Sequence, residues 1–265
     1  MLKQILEDKV IVLTRNRDAD PSFTEELTKL GATVVHFPTI KIVAEEDSTD
    51  FDNYLKRFEE FQFLIFSSVN AVKYFWKRVK ELSLQIDFTN VTVTAVGKAT
   101  AEECNRFGIK VDIIPEEFSA KGIVESLNKL GVEGKKILIP SSVIARKELK
   151  DKLSEAGADV YSTHVYDNVI PSQSEVETEL QFVQNNKIDL YIFTSPSTFN
   201  NFISLVKPDN LESFFNSSDI AAIGSVTAKA INEKGLNVDI IPDEFTLNSL
   251  KEKIVNYYER FNTSN

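Results

Sequence analysis

The residues best equipped for chemistry in this chain are hydroxyls clustered at the ends of short apolar runs. Thr14-Arg15, Ser67-Ser68, Gly97-Lys98-Ala99-Thr100, Ser141-Ser142, Thr194-Ser195-Pro196-Ser197 and Gly224-Ser225-Val226-Thr227 each close such a run and lead into a helical pattern. In open parallel α/β sheets, ligands bind beyond the carboxyl ends of the strands. Helix N-termini there offer unpaired backbone N–H groups and a positive dipole end, which suit anions. Six such termini, presented by two lobes to a shared cleft, would hold a polyanion of several carboxylates or phosphates. Each hydroxyl also has an ordinary account, because Ser and Thr are favoured N-caps that contribute about 1 kcal/mol apiece. Lys98 stands where the second half of the chain has Ser225, so the local fold does not demand a lysine there. Arg15, Arg17 and Arg146 also follow strand ends, and Arg15 is the best placed of them for an anion.

Motifs for stronger chemistry are missing from the sequence. It contains no GxGxxG after a strand, no GxxxxGK[ST], no GxSxG elbow and no HExxH. A single cysteine, Cys104, excludes an internal disulfide, and with only His36 and His164 beside it a soft-metal ligand set is not expected. The two histidines read as structural. Chemistry would therefore rest on positioning, hydrogen bonds and weak acids, with no metal or cofactor. Tyr166, in HVYDNVIP, lies between the two halves, where a tyrosine often packs its ring and keeps its hydroxyl wet.

Bulk properties narrow the partners. With 40 acidic and 30 basic residues the formal charge is −10, which opposes broad binding to a nucleic-acid backbone. The opening MLKQILEDKVIVLTR is interrupted by charge and does not read as a signal peptide, and no run reaches the roughly 20 apolar residues of a membrane span. A cytoplasmic location is expected. The 42% hydrophobic and 26% charged content is that of an ordinary globular protein.

The elements that must position these hydroxyls come twice. TAVGKATAEECNRFGIKVDIIPEEFS (94–119) aligns with AAIGSVTAKAINEKGLNVDIIPDEFT (221–246), pairing Gly97 with Gly224, Thr100 with Thr227, Gly108 with Gly235 and Phe118 with Phe245 at an offset of 127. The string VDIIP is identical at 111–115 and 238–242. At the same offset LIFSSVNAVKYF (64–75) aligns with YIFTSPSTFNNF (191–202), and at 126 the segment around VIVLTR aligns with ILIPSS, placing Gly31 against Gly157. Short apolar strands alternate with amphipathic helices, which predicts parallel sheets covered on both faces. Asp20-Pro21 and Ser195-Pro196 read as N-cap plus first helical residue, Gly31 as a helix stop, and Thr100–Glu103 as a capping box. The least regular stretches, 38–52 and 165–178, are the candidates for interdomain connections.

On these pieces, VIVLTR (10–15), PTIKI (38–42), IFSSVNAV (65–72), AVGKATA (95–101), ILIPSSVIAR (137–146), VYDNV (165–169), IFTSPS (192–197) and AIGSVTA (222–228), the chain resembles the uroporphyrinogen-III synthases over nearly its whole length. The resemblance implies two flavodoxin-like (HemD-like) α/β domains with parallel sheets joined by a two-stranded connection. Residues 1–38 would join 168–265 in one domain, and 39–167 would form the other. The implied reaction, in heme biosynthesis and without a cofactor, closes linear hydroxymethylbilane to uroporphyrinogen III, with loss of water and inversion of ring D. Tyr166 matches the family tyrosine that assists the departing hydroxyl. Thr227 with Ser225 matches a loop near the substrate, with Thr100 its counterpart. Ser68, Asn70, Ser195 and Ser197 fall at helix starts where backbone amides would meet the eight carboxylates of the substrate, with Lys98 and Arg15 as candidate cations. Some family members carry a basic residue where this chain has Asn70, which shifts capture toward the backbone. A monomer is the default, with transient handover from hydroxymethylbilane synthase as a possible partnership and neither nucleic acid nor membrane as a partner. The other reading is a non-catalytic module of the same fold that senses a tetrapyrrole or polycarboxylate; a two-lobed periplasmic binding protein would need a secretion signal.

Overall fold

The computed structural model describes residues 4–142 and 147–262; Arg146 lies outside the described residues. In chain order the strands and helices are β1 (Val10–Leu13), α1 (Pro21–Lys29), β2 (Thr33–His36), β3 (Lys41–Ala44), α2 (Thr49–Lys56), β4 (Phe63–Phe66), α3 (Val69–Glu81), β5 (Thr92–Ala95), α4 (Lys98–Arg106) and α5 (Ala120–Asn128). There follow β6 (Lys136–Ser142), α6 (Lys147–Glu155), β7 (Asp159–Val169), α7 (Glu177–Asn185), β8 (Leu190–Phe193), α8 (Pro196–Val206), α9 (Leu211–Phe215), β9 (Asp219–Ala222), α10 (Ser225–Asn232) and α11 (Leu247–Asn262). The chain divides into two compact units, Met1–Lys41 with Val169–Asn265 and Ile42–Asn168. Both divisions fall inside strands, at the first residue of β3 and the last of β7. The stretches around 41–44 and 165–169 are therefore regular, contrary to the irregular connections expected from the sequence.

The first unit has a four-stranded sheet in the order β2-β1-β8-β9, and the second a five-stranded sheet in the order β3-β7-β6-β4-β5. Pairings β1–β2, β1–β8 and β8–β9 are parallel, as are β4–β5, β4–β6 and β6–β7. Register repeats residue for residue. The 126 offset carries Val10–Thr33 onto Lys136–Asp159, and the 127 offset carries Phe63–Thr92 onto Leu190–Asp219. Isolated bridges Thr94–Ile113 and Ala221–Ile240 add the VDIIP segments to the two sheet edges at equivalent places. Each folded unit thus takes its β1-like pair from one sequence repeat and its β8-like pair from the other.

Period-2 alternation along buried strands sends side chains to two separate cores. In the first unit Ile11, Leu13, Leu190 and Ile192 pack on one face with α1 and α11 residues, while Val12, Tyr191 and Phe193 pack on the other with Phe199 and Phe202 of α8. The second unit repeats this, with Phe63, Ile65, Ile137 and Ile139 on one face and Leu64, Phe66 and Leu138 on the other. Each unit is a three-layer α/β/α body, and its strand ends and following helix starts share one rim.

Local starts differ from the sequence expectation at two helices. Asp20 precedes α1 and Pro21 occupies its first position, but the Asp20 side chain caps nothing and instead contacts the Arg15 guanidinium. Helix α4 begins at Lys98 after Gly97, so Thr100 sits inside the first turn and no capping box forms with Glu103, which pairs with Arg106 at 3.0 Å. Ser195 and Pro196 do start α8 as expected: the Ser195 hydroxyl accepts the Thr198 amide, and the Thr198 side chain accepts the Ser195 amide. Gly31, with φ +102°, ends α1 in a conformation that other residues adopt only with strain.

Candidate active site

Tyr166 reaches its position through an irregularity in β7. The β6–β7 register pairs Ser141 with His164 but Ser142 with Tyr166, so one extra residue of β7 is accommodated there. A bulge of this kind re-aims the residues that follow it. Alternation is broken accordingly: Val165 and Tyr166 are both buried in the same core, although they are neighbours on a strand. The Tyr166 ring stacks on Tyr74 of α3 with centroids 5.7 Å apart, and Tyr74 is anchored by its hydroxyl donating to the Ile42 carbonyl at 2.8 Å.

The Tyr166 hydroxyl lies 3.0 Å from Ser68 Oγ, and Ser68 caps α3 by accepting the Ala71 amide at 3.1 Å. With that amide donating to Ser68 Oγ, the serine proton is free to point at the Tyr166 oxygen. When the serine is the donor in this contact, the phenol proton is left for a third group. This chain of donors begins at the positive end of a 13-residue helix.

That third group would occupy a cavity of about 410 Å³ within the second unit, of the size that small-molecule sites commonly have. Ser67, Ser68, Ser141, Ser142, Ser162, Lys150 and Tyr166 supply polar walls; Val96, Ile123, Ile139, Leu149 and Phe118 supply apolar ones. Ser141 is fully buried and spends its proton on the Thr163 carbonyl at 3.2 Å. The wall is drawn from strand ends β4, β6 and β7 and from helices α5 and α6. Ser142 is one of the strand-end hydroxyls of the sequence and Phe118 has a place in the repeat, whereas Ser162 and Lys150 join them here without any short-range signal for it.

The remaining sequence candidates fall in varied settings. Thr100 is buried, and its hydroxyl donates to the Val96 carbonyl at 3.0 Å, so it serves the first turn of α4. Its repeat partner Thr227 is equally buried in α10, yet no described residue takes its hydroxyl in a hydrogen bond. Lys98 and Ser225 are exposed first residues of α4 and α10, and no described carboxylate pairs with Lys98. Asn70 is half-buried in the first turn of α3 and does not line the cavity. Ser195 caps α8 and shares a 2.9 Å hydroxyl contact with the exposed Ser197. Arg15 is ion-paired to Asp20, a carboxylate that competes with any external anion. His36 bridges the Arg15 carbonyl and the Thr24 hydroxyl, at 3.3 and 3.2 Å, a packing role.

Electrostatics leave few alternatives for covalent chemistry. Burial pushes the Cys104 thiol up to about 12, which keeps it protonated and unreactive. Among the described residues no group of three or more His, Cys, Asp or Glu could hold a metal ion, and no helix is long and apolar enough to cross a membrane.

The family model described as uroporphyrinogen-III synthase HemD matches residues 21–252. A uroporphyrinogen-III synthase of Chlorobaculum parvum is 28% identical over 241 residues, covering 89% of this chain and 94% of that protein. One from Synechococcus elongatus is 28% identical over 254 residues, covering 94% and 96%. Among solved structures, the uroporphyrinogen-III synthetase of Helicobacter pylori superposes with a TM-score of 0.57 at 20% identity, covering 94% of this chain and 99% of that one. A mutant uroporphyrinogen III synthase of Thermus thermophilus gives 0.55 at 15% identity, covering 95% and 99%. At those identities the two structures speak for the fold, and the family model for the lineage. With a match that spans most of its length, the chain belongs to the uroporphyrinogen-III synthase HemD family.

Proposed function

We propose that this chain is a cofactor-free hydro-lyase of heme biosynthesis that closes hydroxymethylbilane to uroporphyrinogen III with inversion of ring D. The observation that carries the reading is the Tyr166 hydroxyl, held at 3.0 Å by the helix-capping Ser68 and turned into a cavity of about 410 Å³. The substrate already contains its leaving group, a hydroxymethyl hydroxyl activated by the attached pyrrole. What it needs is a proton donor to that oxygen and control over which carbon of ring D attacks. A phenol O–H is a weak acid and fits the first task. Donation from Tyr166 lets water depart, and the pyrrole nitrogen stabilises the cation left behind. Ring D then closes through its substituted carbon to a spiro intermediate, whose rearrangement gives the inverted ring.

Left alone the substrate closes without inversion, so orientation rather than nucleophile activation is the main contribution required. The cavity's apolar walls suit a pyrrole face and exclude water, while its serines and Lys150 suit side-chain carboxylates. Exposed Lys98, Ser225 and Ser197, with the free amides of their helix starts, offer further anchoring for the acid groups. Thr227, buried with an unpartnered hydroxyl, has a proton to give, whereas the proton of Thr100 is already committed to Val96. The test is direct. Purified protein given freshly generated hydroxymethylbilane, without added metal or nucleotide, is expected to yield mainly the type III isomer. Type I product alone would reject the assignment.

A further inference from the structure

Six large hydrophobic side chains are strongly exposed among the described residues, and two of them are repeat partners: Phe118, 56% exposed, and Phe245, 63% exposed. Each follows a VDIIP segment and lies against the glycine that precedes the first helix after β5 or β9. A methyl group placed on Gly97 would sit 3.9 Å from the tip of the Phe118 ring, and one on Gly224 would sit 2.9 Å from the Phe245 ring. The two glycines are required for different reasons. Gly97 has φ +91°, where a side chain is strained, whereas Gly224 is extended at φ −174° and lacks room for a Cβ beneath the ring. The ring and the glycine recur with the closely matched strings VDIIPEEFS (111–119) and VDIIPDEFT (238–246), although Lys98 faces Ser225 beside the glycine.

Folding does not explain an aromatic ring left in water in both copies, because an exposed ring contributes little to the core. Phe118 is in addition a wall of the cavity that contains Tyr166. From this arrangement, and resting on the function proposed above, we infer that Phe118 and Phe245 are substrate-binding platforms, each of which takes the flat face of a pyrrole ring. The glycine, having no side chain, leaves space for the neighbouring ring beside helix-start residues suited to carboxylates. Aromatic contact of this kind is strongest when rings stack with an offset or meet edge to face, and a branched aliphatic chain of similar bulk does not reproduce it. At Phe118 the platform fixes the orientation of the ring next to the Tyr166 proton, which makes it a determinant of product isomer as well as of affinity.

The test compares Phe118→Leu, Phe118→Tyr, Phe245→Leu and Phe245→Tyr with the wild-type protein, using hydroxymethylbilane as the probe and recording KM, kcat and the ratio of type III to type I product. Thermal melts verify folding, which these exposed substitutions should leave intact. Each leucine variant is expected to raise KM roughly tenfold, and each tyrosine variant to stay within about twofold of wild type. Phe118→Leu is also expected to raise the share of type I product. Wild-type KM in a leucine variant overturns the platform at that ring, and unchanged isomer ratio in Phe118→Leu overturns its orienting role. Failure of the enzymatic reading is separable, since wild-type protein would then give no type III product at all. Gly224→Ala supplies an independent arm: by displacing the Phe245 ring it should mimic Phe245→Leu in KM, and a wild-type KM there counts against the glycine as support for the ring.

Discussion

Tyr166 and Ser68 show how one hydroxyl can be given a direction. A tyrosine on a regular strand would point alternately with its neighbours, and Val165 and Tyr166 could not both be buried on one side. The bulge opposite Ser141 and Ser142 allows it, and the capping serine holds the phenol oxygen at hydrogen-bond distance. Removing only the phenol oxygen should therefore lower kcat while leaving the ring stacked on Tyr74. For Tyr166→Phe we expect kcat to fall on the order of 10²-fold, as for loss of a general acid, with an unchanged circular dichroism melt. Single-turnover kinetics with hydroxymethylbilane checks this, and full activity would remove Tyr166 from the mechanism.

At the scale of elements, matching positions of the repeat solve one problem with different chemistry. Asp189 precedes β8 and accepts the Val10 amide at 3.0 Å, tying the start of β8 to β1. Its counterpart Gln62 precedes β4 and accepts the Lys136 amide at 3.0 Å, tying β4 to β6. The charged version gains Lys9 and Lys187, at 3.3 and 3.4 Å. Partial burial pulls the Asp189 carboxyl upward, but the Val10 amide and the two lysines outweigh it, and the group lies below its ordinary range. A carboxyl whose pKa is depressed on folding contributes stability above its unfolded value, near 3.9, and that contribution is lost as pH falls through the folded value. Asp189→Asn keeps the acceptor and removes the charge. It should cost about 1 kcal/mol at pH 7, and the difference from wild type should shrink progressively below about pH 4. Urea melts at pH 7 and pH 3 measure both values; a gap that does not narrow would contradict the charge account.

For the whole molecule, the exchange of segments between repeats makes the two units unequal as folding bodies. Ile42–Asn168 is continuous in sequence and has cores on both faces of its own sheet. The other unit needs Met1–Lys41, which supplies β1 and β2, together with Val169–Asn265, which supplies β8 and β9. A fragment of residues 42–168 is expected to melt cooperatively by itself. Fragment 169–265 should do so only after residues 1–41 are added, because its central strand β1 is otherwise missing. Calorimetry of the separate and mixed fragments tests this, and a cooperative transition in 169–265 alone would refute it.

Much of this was legible in the residues. Strand-to-helix alternation, apolar strands buried on both faces, the duplicated VDIIP segments and the Ser195-Pro196 helix start are local patterns, set by periodicity and capping chemistry that need no distant partner. The sequence also nominated Tyr166 and Ser68, but as separate residues 98 positions apart. Their 3.0 Å contact depends on β7 lying beside β6, on β6 pairing with β4, and on a single extra residue in β7. The same holds for Asp20, whose carboxylate answers the Arg15 charge rather than capping α1, and for Thr100, which lies inside the first turn because α4 already starts at Lys98. A side chain's neighbours across a sheet are fixed by strand order and register, which are long-range choices; only tertiary structure could decide which hydroxyls keep a proton to give.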